Sequence, residues 1–470
     1  MKKIKADERP ELVSLLQLLC CRSGRAFMQW WARASAHCSL ELRALSQVEF
    51  RACIYRSLTG WRHHSGVAVG QSQCLCCTST ESLTAIWRQM AITTKTKLFT
   101  PTTLGGKKSS AGLKHGVVMA PMTRLRMGDD GVPGPVVVEF YAQRATDGGL
   151  VVTEGTNISA TARGYYGPPG IFNDAQVEGW KAVTKAVHAK GGKIFVQLWH
   201  TGRDSHQLNQ PNGELPVCSS AVSMEGVHSL APTREGRLPH PVPRALEVEE
   251  IAGIVADYKS AAILALEAEF DGVELHCDNG YLMEQFLCDS VNKRTDQYGG
   301  SVENRARILF EALEAILSGV DSSKVGIRLS PYGTSFGCTD SAPGDIFSYV
   351  IEKLNDYDLA YLHLVEPRGI QVPAPDAPEG GVLTIFRKIY QGFIITASGY
   401  NREEAIKVVE EGSAECVAFA QDFISNPDLV ERLKIDAVLN TRNPKTAYLP
   451  LGAPFETGYT DYPFLTDSKK

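Results

Sequence analysis

Between residues 117 and 420 the chain repeats one pattern eight times: a short run rich in Val, Ile and Leu, then a longer stretch with apolar residues at helical spacing. The short runs fall at 117–120, 150–153, 193–197, 272–276, 325–329, 360–365, 393–397 and 416–420. The helical stretches fall at 137–144, 174–190, 248–268, 302–317, 344–355, 383–390 and 402–411, and a last one begins near Asn426-Pro427-Asp428, where Asn caps and Pro suits the first turn. Strand followed by helix implies parallel pairing, because the chain must travel back along the sheet before the next strand. Eight such units predict a closed (β/α)8 TIM barrel with long loops at the catalytic face, not an open doubly wound sheet. No Gly-x-Gly-x-x-Gly turn follows any strand, which excludes a Rossmann dinucleotide site.

The first 95 residues lie outside this alternation. They carry 13 Lys+Arg against 6 Asp+Glu, and seven of the twelve cysteines, whereas the whole chain has a net charge of −5. We read 1–95 as a disordered N-terminal extension of unknown role and 96–470 as the barrel. Cys74, Cys76 and Cys77 near His63-His64 lack the regular spacing of a zinc site. The acidic balance of the rest argues against a nucleic-acid partner. No run approaches the ~18–20 apolar residues of a membrane span. The apolar segment at 12–21 is approached through Glu11 and lacks a small-residue cleavage site, so it is a poor signal peptide. Cys218, Cys277, Cys288, Cys338 and Cys416 are scattered, which suits a reducing compartment. The expectation is a cytoplasmic protein, monomeric or homodimeric, acting on a small molecule.

In a parallel barrel the strand C-termini form the active face. Here they read Pro121-Met122-Thr123, Glu154-Gly155-Thr156, Gln197 to His200, His276 to Tyr281, Arg328 to Pro331, Glu366-Pro367-Arg368, Ser398-Gly399-Tyr400 and Ala420-Gln421. Each has a bland reading: Thr123 as a helix cap, Gln197 as a core amide, Asn279-Gly280 as a turn. Arg328 is the least bland, because a guanidinium in a barrel mouth needs an anionic or polar partner. His276-Cys277-Asp278-Asn279-Gly280-Tyr281 follows its strand with no room for a helix. It sets two donors able to hold a carbonyl oxygen beside a phenol able to supply a proton, a set suited to reducing a conjugated carbonyl.

Three segments in combination resemble the old yellow enzyme family, and within it the plant 12-oxophytodienoate reductases. They are Ala120-Pro121-Met122-Thr123-Arg124, Gln197-Leu198-Trp199-His200-Thr201-Gly202-Arg203 and Asn292-Lys293-Arg294-Thr295-Asp296-Gln297-Tyr298-Gly299-Gly300-Ser301. The resemblance runs from Leu98 to Leu465. It implies FMN in the barrel, reduced by NADPH, and reduction of the C=C bond of α,β-unsaturated carbonyls, with a place in oxylipin, jasmonate or other fatty-acid metabolism. It further implies that Pro121, Met122, Thr123, Gly155, Gln197, Arg328, Gly399, Ala420 and Gln421 contact the flavin. His276 and Asn279 then grip the substrate oxygen, Tyr281 protonates the α-carbon and Arg368 touches substrate at the rim.

The chain departs from the family at the phosphate end. Ser398-Gly399 stands for the usual Gly-Gly and Ala420-Gln421 for Gly-Arg, so a charge-assisted contact is lost. Cys277-Asp278 replaces the usual Gly-Ala, bringing a carboxylate beside the donors. Ala447 stands where an aromatic residue is expected. The alternative reading is a diverged, non-catalytic barrel with weakened FMN binding.

Overall fold

The computed structural model describes residues 96–105, 111–227, 229–369, 372–448 and 453–467. The extension at 1–95 lies outside the described residues. The barrel strands are β1 (Val117–Met119), β2 (Leu150–Val152), β3 (Lys193–Trp199), β4 (Gly272–Cys277), β5 (Val325–Leu329), β6 (Tyr361–Val365), β7 (Ile394–Ala397) and β8 (Cys416–Phe419). Each pairs in parallel with the next, and β8 returns to β1, so the sheet closes as the alternation predicts. Buried parallel strands face apolar neighbours on both sides, which is why they read as continuous hydrophobic runs.

The helices are α1 (Pro135–Arg144), α2 (Asp174–His188), α3 (Val248–Glu267), α4 (Leu282–Leu287), α5 (Val302–Leu317), α6 (Pro343–Leu354), α7 (Leu383–Ile389), α8 (Arg402–Glu410), α9 (Gln421–Ser425) and α10 (Leu429–Ile435). Their starts are chemically marked. Asn173 caps α2 by accepting from the Gln176 amide, Ser301 caps α5, and Asn401 with Glu404 forms a capping box on α8. On α2 the buried stripe is Val177, Trp180, Val183 and Val187. Each such side chain contributes about 1.5–3 kcal/mol by leaving water.

After β8 the expected single helix is instead two. The short α9 comes first, and α10 starts behind Asp428. Asn426 does not cap α10, because its Oδ1 accepts from the Asn440 amide at 2.7 Å, while its Nδ2 donates back to Asp422 O and Ser425 Oγ. Between residues 98 and 117, where no element was expected, Thr102–Leu104 pairs antiparallel with Ala111–Leu113. Leu104 and Leu113 belong to the same buried cluster as Val118, Phe195, Tyr361 and Ile395, and so plug the N-terminal mouth of the barrel.

A polar ladder runs through the barrel wall above this plug. Glu274 on β4 accepts from Gln197 Nε2 on β3 at 2.8 Å, and its other oxygen lies 2.8 Å from His363 Nδ1 on β6. Burial lowers the His363 pKa, so the neutral ring donates through Nδ1 and accepts through Nε2 from Arg328 Nε at 3.5 Å. Every member is less than a tenth exposed, so the interactions act in a low dielectric. Glu274→Ala strands Gln197 and His363 together and is expected to cost on the order of 3–5 kcal/mol, whereas Glu274→Gln retains part of that; urea unfolding at pH 7 measures both.

Candidate active site

At the C-terminal mouth the β4 strand ends in a sharp turn. Asn279 (φ 57°) and Gly280 (φ 79°) are consecutive left-handed residues, a conformation Asn tolerates and Gly favours. A Cβ on Gly280 would lie 2.4 Å from Ser335 O, so only glycine fits. The turn delivers Tyr281 to the start of α4, with its ring edge-on to Trp199 at 4.9 Å and to His276 at 5.0 Å. Burial raises the Tyr281 pKa well above 10, so its phenol stays protonated.

Asp278, fully buried, answers the question posed by Arg328. Its Oδ2 accepts from Arg328 Nη1 and, at 2.7 Å, from Asn279 Nδ2, while its Oδ1 lies 2.6 Å from His276 Nδ1. Burial alone would push this carboxyl up, but Arg328 and His276 hold it below the usual carboxylate range. The carboxylate thus sits among the groups expected to receive a substrate oxygen.

Two cavities open here. The larger, about 610 Å³, is lined by Pro121, Asn279, Arg328, Gly399, Ala420 and Gln421 among others, uniting six of the sequence-derived residues. The second, about 230 Å³, is lined by Thr123, Tyr165, Tyr281, Phe336 and Tyr448, with aliphatic groups and the polar Ser229 and Arg237 completing its wall. The remaining assigned residues line neither. Gln197 is held by Glu274, and Met122 packs on the core. Gly155 is required by its neighbour Trp199, whose ring would lie 2.7 Å from a Cβ there.

Arg368, expected to touch substrate at the rim, lines neither cavity. It stacks on Tyr400 at 4.1 Å, donates to Ser398 O and pairs with Glu404, partners that lie beyond the end of β7. Ala447 is buried and its carbonyl accepts from Arg124, while the neighbouring Tyr448 lines the smaller pocket.

The larger cavity fits a flavin mononucleotide. Small residues Ala120, Ala397 and Ala418 line it, a guanidinium stands at one side, and Gly369 and Gly399, both at positive φ, line it without side chains. At the far end Gln421 is exposed. Arg402, at the first turn of α8, lines the cavity and stands 3.8 Å from the carboxylates of Glu403 and Asp436. Its Nε donates to Leu433 O at 2.6 Å, and it is a basic group in the cavity wall that motif reading missed; its only sequence signal is being the first basic residue after β7. Arg432 lines the cavity too, but pairs with Asp428 at 2.6 Å.

A parallel barrel with such a cavity and a buried phenol beside it defines a flavin-dependent oxidoreductase. The chain belongs to the NADH:flavin oxidoreductase / NADH oxidase family, whose profile it matches over residues 97–440; this is the old yellow enzyme family, whose members carry FMN and take electrons from a reduced nicotinamide. It is 43% identical over 369 residues to 12-oxophytodienoate reductase 7 of Oryza sativa subsp. japonica, covering 76% of this chain and 93% of that protein. With 12-oxophytodienoate reductase 1 of the same plant it shares 44% over 362 residues, covering 77% and 92%. Its fold is similar to that of morphinone reductase, with a TM-score of 0.73 and 44% identity, covering 80% of this chain and 98% of that one.

Asp278→Asn tests the central carboxylate. Because its pKa is depressed, its contribution to stability is full above the unfolded carboxylate value and is lost as pH falls through the folded one. The variant should lose on the order of 3 kcal/mol at pH 7, and the gap to the wild type should shrink below about pH 4. Denaturant unfolding across that range measures both.

Proposed function

We propose that the protein is an FMN-dependent ene-reductase that draws electrons from NADPH and reduces the C=C bond of α,β-unsaturated carbonyls, with cyclic oxylipin enones of the 12-oxophytodienoate kind as its substrate class. The observation that carries this reading is the protonated Tyr281 phenol in the wall of an aromatic pocket, two residues from Asn279 in the wall of the flavin-sized cavity. The rice reductases named for 12-oxophytodienoate support the substrate class.

FMN supplies a hydride for the β-carbon of the enone. The chain's own residues do the rest. Pro121, Ala120 and Ala418 line the cavity wall, and Arg328 provides positive charge there. Phe336, Tyr448 and Leu125 enclose a flat apolar substrate and exclude water. Charge developing on the carbonyl oxygen is met by His276 and Asn279, the two donors that the Asp278 carboxylate holds at the end of β4. Tyr281 gives its proton to the α-carbon, and does so only as hydride arrives.

Tyr281→Phe separates the half-reactions. Enone reduction should slow by about a hundredfold, with reduction of the bound flavin by NADPH unchanged; stopped-flow traces of each step, with NADH in parallel, measure it. Equal impairment of both steps excludes the phenol as donor.

FMN titration of the apoprotein, followed by flavin fluorescence, tests the cofactor site itself. Ala420→Gly combined with Gln421→Arg should tighten binding by roughly ten- to a hundredfold through a restored charge-assisted contact. Failure of both proteins to bind FMN would sink the reading.

A further inference from the structure

Tyr281 can deliver only one proton, after which it must be reloaded, and its ring is buried. A chain of ionisable groups leads away from it. The Tyr281 hydroxyl lies 3.1 Å from that of Tyr165, whose hydroxyl donates to Asp204 Oδ2. Asp204 is fully buried, and its other oxygen has no hydrogen-bond partner among the described residues apart from the approach of His240 Nε2 at 3.3 Å. His240 Nδ1 lies 3.1 Å from Ser205 O, an acceptor only, so Nδ1 carries a proton and Nε2 faces the carboxyl. Nε2 also lies 3.2 Å from Ser229 Oγ, next to the exposed Leu230.

The geometry points to Tyr165, Asp204 and His240 as a proton relay that reloads Tyr281 from solvent after each enone reduction. This rests on the enone-reductase reading above. The bookkeeping is one proton per turnover: the phenolate left on Tyr281 takes the Tyr165 proton, Tyr165 takes that of Asp204, and the Asp204 carboxylate is refilled through His240, which takes its own proton from water by way of Ser229. Hydroxyls and carboxyls donate or accept by rotation, so each link runs without moving a heavy atom far. The hydride partner comes from FMN, itself reduced by NADPH.

The protonation states suit the task. Burial pushes Asp204 up to about 7, against the lowering effects of its Tyr165 hydrogen bond and the Arg203 charge, so near neutrality it both holds and releases a proton. Burial lowers the His240 pKa. The groups facing Asp204 are Tyr165 with Tyr281 behind it, His240 on the inserted loop, and Arg203, whose guanidinium is occupied by the carbonyls of Val222 and Phe336. Tyr165, Asp204 and His240 act through Tyr281 and are positioning and relay groups.

Asp204→Asn keeps the shape and removes the transferable proton. With pre-reduced enzyme and excess enone and NADPH, the first turnover should proceed at the wild-type rate on the proton already held by Tyr281. Later turnovers should slow about tenfold or more, with a larger solvent deuterium isotope effect. His240→Gln should give the same burst with a smaller loss. First and later turnovers slowing together, or neither slowing, would overturn the relay. A second readout is independent of flavin: infrared difference spectra of the apoprotein between pH 5 and 9 should show a buried carboxylic acid titrating near 7 that Asp204→Asn abolishes, and its absence from the wild type would equally overturn the proposal. A protein that fails to bind FMN but shows this band fails the function reading and not the carboxyl assignment.

Discussion

The mouth of this barrel depends on one ion pair, Asp278 with Arg328, reached from below by a ladder of buried polar groups. Gln197, Glu274 and His363 sit on three different strands, and each satisfies the next, so that Arg328 rises into the cavity with its Nε already engaged. A guanidinium so placed carries a large desolvation cost. Asp278 offsets it and simultaneously holds His276 and Asn279, so the strand ends of β4 and β5 are locked to one another by charge as well as by backbone register.

That arrangement explains how a carboxylate is tolerated where the family has a small apolar residue. A free acid beside the oxyanion donors would oppose hydride addition, but one neutralised by Arg328 and a histidine contributes little net field. The same pairing has a consequence for the cofactor. The Arg328 charge that lines the flavin-sized cavity is already matched by Asp278 within the protein. Ser398 adds to this picture. It holds φ at 87° where the family has glycine, a backbone strain worth about 1–2 kcal/mol, partly offset by the bond from its Oγ to Arg368 O.

The barrel was legible because a strand buried on both faces leaves an unbroken apolar run, and all eight runs became strands with ends within two residues of those read from sequence. What escaped was short or non-local. The three-residue strands of the N-terminal plug are too brief to show a period, and α4 and α9 too short to show an amphipathic stripe. Pro121, Asn279, Arg328, Gly399, Ala420 and Gln421 met in one cavity because strand ends converge by topology. Arg368 is held by the Tyr400 ring and the Glu404 carboxylate, partners that lie 32 and 36 residues on and that its own segment does not reveal. The partner of Arg328 is 50 residues away in sequence, and only the register of β4 against β5 brings it near.

Asp204 and Asp278 show why such partners matter more than residue type. Both are aspartates without solvent exposure, and the charge of each acts on the same phenol, that of Tyr281. Asp278 faces a guanidinium and an imidazole and is driven toward its ionised form. Asp204 has a phenol and an imidazole at hand, with the neighbouring Arg203 turned to carbonyls, and burial carries it up to about 7. One environment produces a fixed anion that organises donors, and the other a group able to exchange a proton at neutral pH. When two like acids are pushed apart in this way, charge-holding and proton-handling roles separate without any change of side chain. In this barrel the separation follows the two sides of Tyr281: the fixed charge lies toward the flavin cavity, and the exchangeable proton toward the inserted loop that carries His240.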